Sequence, residues 1–375
     1  FVCFANFFIF LGFQMTLPTI PLFVEHLGGN DQLIGIVVGI FTFSALLIRP
    51  WAGHALETKG RRFIYLLGLA IFVISVGSYA LVAGLFFLFT MRIVQGAGWG
   101  LSTTAGGTVA TDLIPPHRRG EGLGYFGLSG NIAMAFGPAL GLALVPLIGF
   151  HYLFLICAAL GAAAFLFAAF LHYKPVIATE QPKSVRQKKS DLYEKSALKP
   201  SRLLFFTPGT VGGIATFLPL YAIQEGVKGM EWYFFFFAIS LMLSRTFGGR
   251  LYDRRGIRAV FVPGTLAIIF AMILLTFLAH EWMLITAAIF YGLGFGMIQP
   301  ALQAWAVNKA PSDRKGMANA TFFSLFDLGV GLGAMLFGFI PSFFGYSGIY
   351  ATSALSVSIS LILYLIFMKK ETTHI

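Results

Sequence analysis

The side chains best suited to chemistry in this chain are the polar and charged ones that interrupt long apolar stretches. Arg92, Gln95, Trp99 and Thr103 recur at three- and four-residue steps, so they share one face of a helix. An arginine inside a membrane-spanning helix costs about 2.5–3.5 kcal/mol and therefore has to face water or a partner. We interpret this face as part of a polar pathway. The alternative is a snorkelling or purely structural Arg92.

Asp327 offers a different chemistry, the uptake and release of a proton. Of the 15 Asp and Glu residues, it alone falls near the middle of an apolar stretch. A carboxyl group removed from water is stabilised in its neutral form, so it is a candidate proton carrier. The alternative is an interhelical hydrogen bond without titration. Asp327 and Arg92 are therefore the two candidates for ion coupling.

These residues need membrane-spanning helices to position them. The chain is 57% hydrophobic and 11% charged, with mean hydropathy +0.82, whereas a soluble domain carries about 25% charged residues. A bilayer core of about 30 Å requires about 20 apolar residues per helix. The sequence predicts an all-α integral membrane protein whose twelve spans cover residues 2–24, 33–53, 63–82, 86–109, 122–144, 151–172, 203–224, 232–250, 260–279, 282–307, 318–340 and 347–368.

The chain also repeats itself at one constant offset. The matched pairs are Arg49 and Arg245, Gly53 and Gly249, Glu57 and Asp253, Gly60 and Gly256, Arg62 and Arg258, Gly96 and Gly292, Gly98 and Gly294, and Gly100 and Gly296. We therefore expect two pseudo-symmetric six-helix bundles, 1–172 and 203–375, joined by a cytoplasmic linker, 173–202. In a membrane protein, such a repeat indicates a transporter that works by alternating access.

The net charge of +11 reports orientation and does not indicate a nucleic-acid partner. Lys and Arg concentrate on alternate loops, at the junctions beside these loops and at the C-terminus. The positive-inside rule then predicts a multi-pass protein of the cell membrane with both termini in the cytoplasm. The polar linker is either a flexible tether or the carrier of a short surface helix near anionic headgroups.

Two matched loops contain turn glycines, an acid and a basic cluster, which can hold helix ends together while a gate is closed. The first is Gly53-x-x-x-Glu57-x-x-Gly60-Arg61-Arg62, and the second runs from Gly249 through Asp253 and Arg255 to Gly256. Both resemble the signature loop of the major facilitator superfamily. Further elements resemble that superfamily in Leu11-Gly12 with Pro18 and Pro21, Arg92-x-x-Gln95-Gly96, and Gly137-Pro138-x-x-Gly141.

The element at Gly137, Pro138 and Gly141 resembles the one associated with drug–proton antiporters. The resemblance implies a twelve-helix exporter that uses the proton as its coupling ion, has no other cofactor, and works as a monomer. It also implies that Asp112 pairs with Arg61 or Arg62. The predicted cytoplasmic gate comprises Gly53, Glu57, Gly60, Arg61, Arg62, Asp112, Gly249, Asp253, Arg255 and Gly256.

The cavity prediction combines the first polar face with its repeat on the tenth span and with polar residues of helices that border the site in the resembled family. Asn131 enters as the repeat partner of Asp327. The candidates are Asn6, Gln14, Arg92, Gln95, Trp99, Thr103, Asn131, Tyr221, Tyr291, Phe295, Gln299 and Gln303.

The leading hypothesis is a proton-coupled antiporter for efflux of small amphipathic compounds or drugs, with the lipid bilayer as its other partner. One alternative keeps the fold but exports, flips or imports a specific metabolite, siderophore, lipid or sugar. Another is a receptor or scaffold that does not transport. Catalytic and metal sites are not expected, because a nucleotide-binding loop, an HExxH cluster and a Ser/His/Asp grouping are missing from the sequence.

Overall fold

The computed structural model of the protein describes residues 1–81, 84–114, 119–171, 173, 194–311 and 315–372. The regular structure of these residues is helical. Two 3-10 turns lie at Tyr79–Leu81 and Lys195–Ala197. The α-helices are α1 (Val2–His26), α2 (Asp31–Thr58), α3 (Arg61–Ser78), α4 (Leu85–Leu113), α5 (Arg119–Ala169), α6 (Leu198–Phe205), α7 (Pro208–Gln224), α8 (Met230–Thr276), α9 (Glu281–Asn308), α10 (Lys315–Phe337) and α11 (Pro341–Thr372).

Two of these helices are too long to cross a bilayer once. The 51 residues of α5 would extend about 77 Å as a single straight helix, more than twice the bilayer core. Gly149 interrupts α5 with φ 75°, and Gly256 interrupts the 47-residue α8 with φ 73°. Positive φ is accessible to glycine at little cost, so each glycine divides its helix into two apolar segments.

Eight segments of the described chain are long and apolar enough to span a membrane. The predicted all-α integral membrane fold is therefore confirmed, whereas the count of twelve spans stays a prediction. The eight segments are Val2–His26, Asp31–Leu56, Arg61–Leu81, Tyr125–Ala169, Lys195–Gln224, Phe247–Thr276, Glu281–Asn308 and Pro341–Phe367.

The chain forms two compact units, Phe1–Pro182 and Lys183–Ile375, whose boundary lies inside the predicted linker. Most of that linker, 174–193, lies outside the described residues. Its last residues form a 3-10 turn and the start of α6. The backbone N–H of Glu194 donates a hydrogen bond of 2.9 Å to Thr321 Oγ1 on α10, so this end of the linker belongs to the second unit.

The sequence repeat has a counterpart in how the helices of each unit pack. In the first unit, a Cβ atom added at Gly96 of α4 would contact the carbonyl oxygen of Phe41 on α2. In the second unit, a Cβ atom added at Gly292 of α9 would contact the carbonyl oxygen of Phe237 on α8. Phe41 and Phe237 are related by the same offset as the two glycines. The two units therefore share one internal packing scheme.

Candidate functional site

Arg92 is held inside the first unit by neutral groups. Its side chain is 1% exposed. Nη1 donates to Gln95 Oε1 at 2.6 Å, and Nε donates to the carbonyl oxygen of Val37 at 3.2 Å. The guanidinium carbon lies 4.5 Å from the centre of the Phe41 ring, within the range of a cation–π contact. Both α2 and α4 thus contribute to the solvation of this charge.

Tyr79 completes the Arg92 cluster and was not among the residues predicted from the sequence. Its hydroxyl donates to Gln95 Oε1 at 2.6 Å, so this one amide oxygen accepts from both Tyr79 and Arg92. Gln95 Nε2 is buried without a hydrogen-bond partner. The position of Tyr79 at the end of the predicted third span gave no sign of this contact. The three residues link α4 to the 3-10 turn that follows α3.

Beyond Gln95 along α4, the same helical face is aromatic. Trp99 is 8% exposed and is surrounded by rings from three helices. Its ring centre lies 4.1 Å from that of Phe13 and 4.8 Å from that of Phe10, both on α1. The Thr103 hydroxyl donates to the Trp99 carbonyl oxygen at 2.7 Å. The predicted stripe therefore consists of a polar cluster at Arg92 and Gln95, followed by an apolar cluster at Trp99.

The polar residues of α1 contact α5 in the same unit. Asn6 Nδ2 donates to Ser129 Oγ at 2.9 Å and to the Phe126 carbonyl oxygen at 3.2 Å. Gln14 is 8% exposed and lies beside Gly137, where an added Cβ atom would come within 2.5 Å of the Gln14 Cβ atom. Asn6 and Gln14, predicted as cavity residues, therefore lie at the α1–α5 contact.

The glycine–proline element of α5 permits a close approach to α1. A Cβ atom added at Gly141 would contact the carbonyl oxygen of Met15, one residue beyond Gln14. Pro138 lies between the two glycines and is buried. Because proline has no backbone N–H, it also removes one hydrogen bond from the helix at this point. The element thus fixes α5 against the middle of α1.

Three cavity candidates of the second unit are buried within it. Tyr291 and Phe295 of α9 are each 1% exposed, and the Tyr291 hydroxyl lies 2.8 Å from Thr210 Oγ1 of α7. Tyr221 is 4% exposed and stacks on Tyr350 of α11, with ring centres 5.6 Å apart. These contacts connect α7, α9 and α11.

Gln299 and Gln303 line a cavity of about 380 Å³ in the second unit. Both residues were predicted to line a cavity together with the polar face of Arg92, and that shared cavity stays a prediction. Arg245 of α8 contributes to the same cavity, and its Nη2 donates to Gln299 Oε1 at 3.1 Å. The remaining lining residues are Gly249, Tyr252, Asp253, Pro300, Ala301, Ala304 and Phe323.

The first signature loop contains an ion pair between helix ends. Arg61 Nε donates to Asp112 Oδ2 at 2.7 Å, so of the two arginines considered for Asp112, Arg61 is its partner. Arg61 begins α3, and Asp112 lies in the last turn of α4. Arg62 is exposed, Gly53 has open space around it, and the side chain of Glu57 lies outside the described residues.

The second loop also turns at a glycine with positive φ, and among the described residues it shows no ion pair that matches the one between Arg61 and Asp112. Gly60 and Gly256 have φ values of 92° and 73°, whereas Asp253 and Arg255 are exposed. The position that matches Asp112 is Asn308. An asparagine side chain carries no charge, so Asn308 cannot form an ion pair of this kind.

Asp327, predicted for proton coupling, and Asn131, its repeat partner among the cavity candidates, lie on separate helices. Asp327 is half-buried on α10, and Asn131 is half-buried on α5. Their roles stay predictions. Among the described residues, His, Cys, Asp and Glu do not gather in groups of three that would hold a metal ion.

Comparison with known protein families shows to which family the chain belongs. Residues 2–330 match the Major Facilitator Superfamily, and residues 227–374 match it a second time. The chain belongs to the major facilitator superfamily. It is therefore a multi-pass membrane transporter whose superfamily binds small molecules, and the match covers both units.

Relatives within the superfamily align over most of the chain. An uncharacterized MFS-type transporter of Methanocaldococcus jannaschii is 24% identical over 372 residues, which are 96% of each chain. Quinolone resistance protein NorA of Staphylococcus aureus strain MRSA252 is 26% identical over 344 residues, covering 87% of this chain and 86% of NorA.

Solved structures of superfamily transporters share the fold. A POT family transporter crystallised with 5-aminolevulinic acid has a TM-score of 0.81 at 15% identity, covering 98% of this chain and 95% of its own. A mutant of the nucleoside transporter NupG has a TM-score of 0.78 at 16% identity, covering 98% of both chains. At these identities, the likeness concerns the fold alone.

Proposed function

We propose that this chain is a proton-driven exporter of small amphipathic compounds in the cell membrane. The observation that carries the proposal is the close contact of Gly137 and Gly141 with Gln14 and Met15 of α1. These glycines belong to the element that resembles drug–proton antiporters. The 26% identity to a quinolone resistance protein supports the same function and a role in drug resistance.

The proposed mechanism is alternating access. Each unit moves as a bundle held together by its own glycine contacts, and the cargo binds at the membrane midplane. The pair of Arg61 and Asp112 holds α3 and α4 together at one end of the first unit. The basic loops and the C-terminus lie in the cytoplasm according to the positive-inside rule, so this pair belongs to the cytoplasmic gate.

The proposed coupling ion is the proton, and its carrier is Asp327. A proton changes the charge of this carboxyl group, and it can drive transport only by binding the two conformations with different affinity. Arg92 has a different task in this scheme. Because its described contacts are the neutral groups of Val37, Phe41, Gln95 and the adjacent Tyr79, its fixed charge shapes the electrostatic field of the first bundle. The transporter works as a monomer.

Purified protein in liposomes with a pH-sensitive dye inside tests this function. A proton gradient is imposed, and a quinolone, a cationic amphiphile and an anionic amphiphile are added in turn. We expect cargo-dependent proton flux from wild-type protein and its loss in Asp327→Asn. Glu225→Gln is the matched control, because Glu225 is an exposed acid at the end of α7.

The outcomes separate the parts of the proposal. Flux that survives Asp327→Asn removes Asp327 from the mechanism but keeps the antiporter. Cargo movement without proton flux contradicts proton coupling. If none of the cargoes moves while the protein stays folded, a specific metabolite becomes the better candidate cargo.

A further inference from the structure

The last residues of the predicted linker form a helix that leads into α7. A 3-10 turn at Lys195–Ala197 is followed by α6, and two residues separate the end of α6 from Pro208 at the start of α7. Lys195–Gln224 together form one apolar segment of 30 residues. As a helix this segment extends about 45 Å, whereas the bilayer core is about 30 Å thick. One end of the segment therefore lies outside the hydrocarbon core.

The charged residues of this segment lie at its N-terminal end. None of the 21 residues from Leu203 to Ile223 is Asp, Glu, Lys or Arg. Their length of about 32 Å as a helix matches the hydrocarbon core. Arg202 therefore lies at the boundary of the core, and Lys195 lies about 10 Å further out. Lipid headgroups occupy this depth of a bilayer.

Three basic residues at this end share one face, and we call them the basic stripe. Lys195, Lys199 and Arg202 lie at positions i, i+4 and i+7. Lys195 and Arg202 are exposed, whereas Lys199 is half-buried. The opposite face is buried and consists of Ala197, Pro200, Ser201, Leu203 and Leu204. The positive-inside rule counts the Lys and Arg residues of a loop, whereas the stripe requires that they share one exposed face.

Contacts with α11 hold the stripe in this orientation. Ser360 Oγ donates to the carbonyl oxygen of Leu203 at 2.8 Å. Lys199 Nζ lies 5.3 Å from the centre of the Phe367 ring, within the range of a cation–π contact. Because α6 is fixed to the second unit on its buried side, the exposed side of the stripe is presented by a rigid element.

The acid that precedes the stripe is turned toward the protein. Glu194 is 6% exposed. Its Oε1 atom accepts hydrogen bonds from the backbone N–H of Ser196 at 3.1 Å and from the Ser196 hydroxyl at 2.9 Å. The exposed surface of this end is therefore positively charged.

The face of the stripe continues into the hydrocarbon core with an aromatic side chain. Phe206 lies four residues after Arg202, one helical turn closer to α7. Its side chain is half-buried, and Ser356 Oγ of α11 donates to its carbonyl oxygen at 3.1 Å. A phospholipid can place its phosphate at Arg202 and an acyl chain beside Phe206. A free phosphate ion can make only the first of these contacts.

We propose that the basic stripe binds the headgroup of an anionic phospholipid. The guanidinium group of Arg202 donates to the phosphate, because its planar fork matches two phosphate oxygens. Lys195 and Lys199 add positive charge across the headgroup layer, where each cation strengthens the attraction to anionic lipid. The site lies within the second unit and depends neither on cargo nor on a proton gradient.

Photo-crosslinking in proteoliposomes tests the inference. The full chain is reconstituted in phosphatidylcholine with a small, equal fraction of one of two probes. Both probes carry the same diazirine-labelled acyl chain, one on phosphatidylglycerol and the other on phosphatidylcholine. Cleavage after glutamate releases the peptide Lys195–Glu225, and mass spectrometry measures its crosslinked fraction. We expect a yield about tenfold higher for the phosphatidylglycerol probe.

Variants assign this preference to the stripe. The double variant of Lys195→Gln and Arg202→Gln is expected to lower the phosphatidylglycerol yield to that of phosphatidylcholine. The control is the double variant of Arg254→Gln and Arg258→Gln, which removes the same charge from exposed arginines elsewhere in the second unit and should keep the wild-type yield. Arg202→Lys retains the charge and should retain most of the yield. Because all four residues are exposed, these substitutions should leave the fold intact.

Four results would overturn the inference. The first is an equal yield from the two probes, and the second is a wild-type yield from the double variant of the stripe. The third is an equal loss in the control variant, which would show that net charge and not the stripe attracts the lipid. The fourth is competition by inorganic phosphate but not by chloride at the same ionic strength, which would assign the stripe to a free anion.

Discussion

Arg61 and Asp112 form an ion pair of 2.7 Å that joins the first residue of α3 to the last turn of α4. Their side chains are 26% and 31% exposed, so water screens much of the attraction between them. Such a pair contributes about 0–1 kcal/mol to stability. The pair therefore matters more for the relative position of the two helix ends than for the stability of the fold.

Breaking this pair should slow transport more than it destabilises the protein. Arg61→Gln and Asp112→Asn are each expected to lower the free energy of unfolding by less than about 1 kcal/mol. We expect the initial transport rate in liposomes to fall severalfold, because the closed gate loses one contact. Arg62→Gln alters the exposed neighbouring arginine and should leave the rate unchanged. An equal effect of Arg62→Gln would show that loop charge matters and that the pair does not.

The Arg92 cluster should be sensitive to loss of its neutral partners. Tyr79→Phe removes one hydrogen bond to Gln95 and is expected to cost about 1 kcal/mol of unfolding free energy. Gln95→Leu leaves a buried guanidinium group without its side-chain acceptor and should cost about 3 kcal/mol. Equilibrium unfolding in mixed micelles measures both. Tyr152→Phe, at a tyrosine that is 62% exposed, is the control and should be neutral. A neutral Gln95→Leu would contradict the role of Gln95 as a partner of Arg92.

Sequence patterns identified the residues of this cluster only in part. The steps from Arg92 to Gln95 follow helical periodicity, so their shared face could be predicted. The contacts of Arg92 with Val37 and Phe41 depend on how α2 packs, and that of Tyr79 depends on the turn after α3. Such contacts between helices leave no periodic pattern in a single sequence. The burial of Tyr291 and Phe295 within the second unit could not be predicted for the same reason.

The helix breaks were more accessible to sequence analysis than the side-chain contacts. Gly60 and Gly256 were expected to form turns, and both have positive φ. Gly149 and Gly345 also have positive φ and are related by the same offset, although neither was predicted to form a turn. A glycine that recurs in both halves can be recognised in the sequence, but its positive φ can be predicted only where a turn motif surrounds it.

Substitution of the paired glycines Gly96 and Gly292 should lower the free energy of unfolding by similar amounts. Gly96→Ala and Gly292→Ala each place a methyl group against the backbone of a neighbouring helix, and we expect a cost of about 1–3 kcal/mol for each. Gly107→Ala is the matched control on α4, because a Cβ atom there would have no neighbour within 4 Å. It should be neutral or stabilise the helix by up to about 1 kcal/mol. Thermal unfolding in detergent provides the comparison. Similar effects at Gly96 and Gly107 would contradict the packing explanation.

The turn glycines of the signature loops provide a test that depends on backbone conformation and not on space. A Cβ atom added at Gly256 would meet no atom within 4 Å, yet its φ of 73° disfavours any other residue. We therefore expect Gly256→Ala to lower the free energy of unfolding by about 1–2 kcal/mol through strain alone. Gly249→Ala, on the same helix with open space and no positive φ, should be neutral or stabilising.

The first loop repeats this comparison, with Gly60 at φ 92° and Gly53 in open space with ordinary φ. Gly60→Ala should therefore be destabilising and Gly53→Ala should not, as measured by unfolding of the full chain in mixed micelles. Each loop contains one glycine with positive φ and one with ordinary φ. Alanine variants of these four glycines therefore separate the effect of backbone conformation from that of position in the loop. A loss at Gly53 and Gly249 as large as that at Gly60 and Gly256 would show that these loops require glycine for contacts absent from this conformation. If the losses follow φ as expected, Gly60 and Gly256 are required because they turn the chain between two helices.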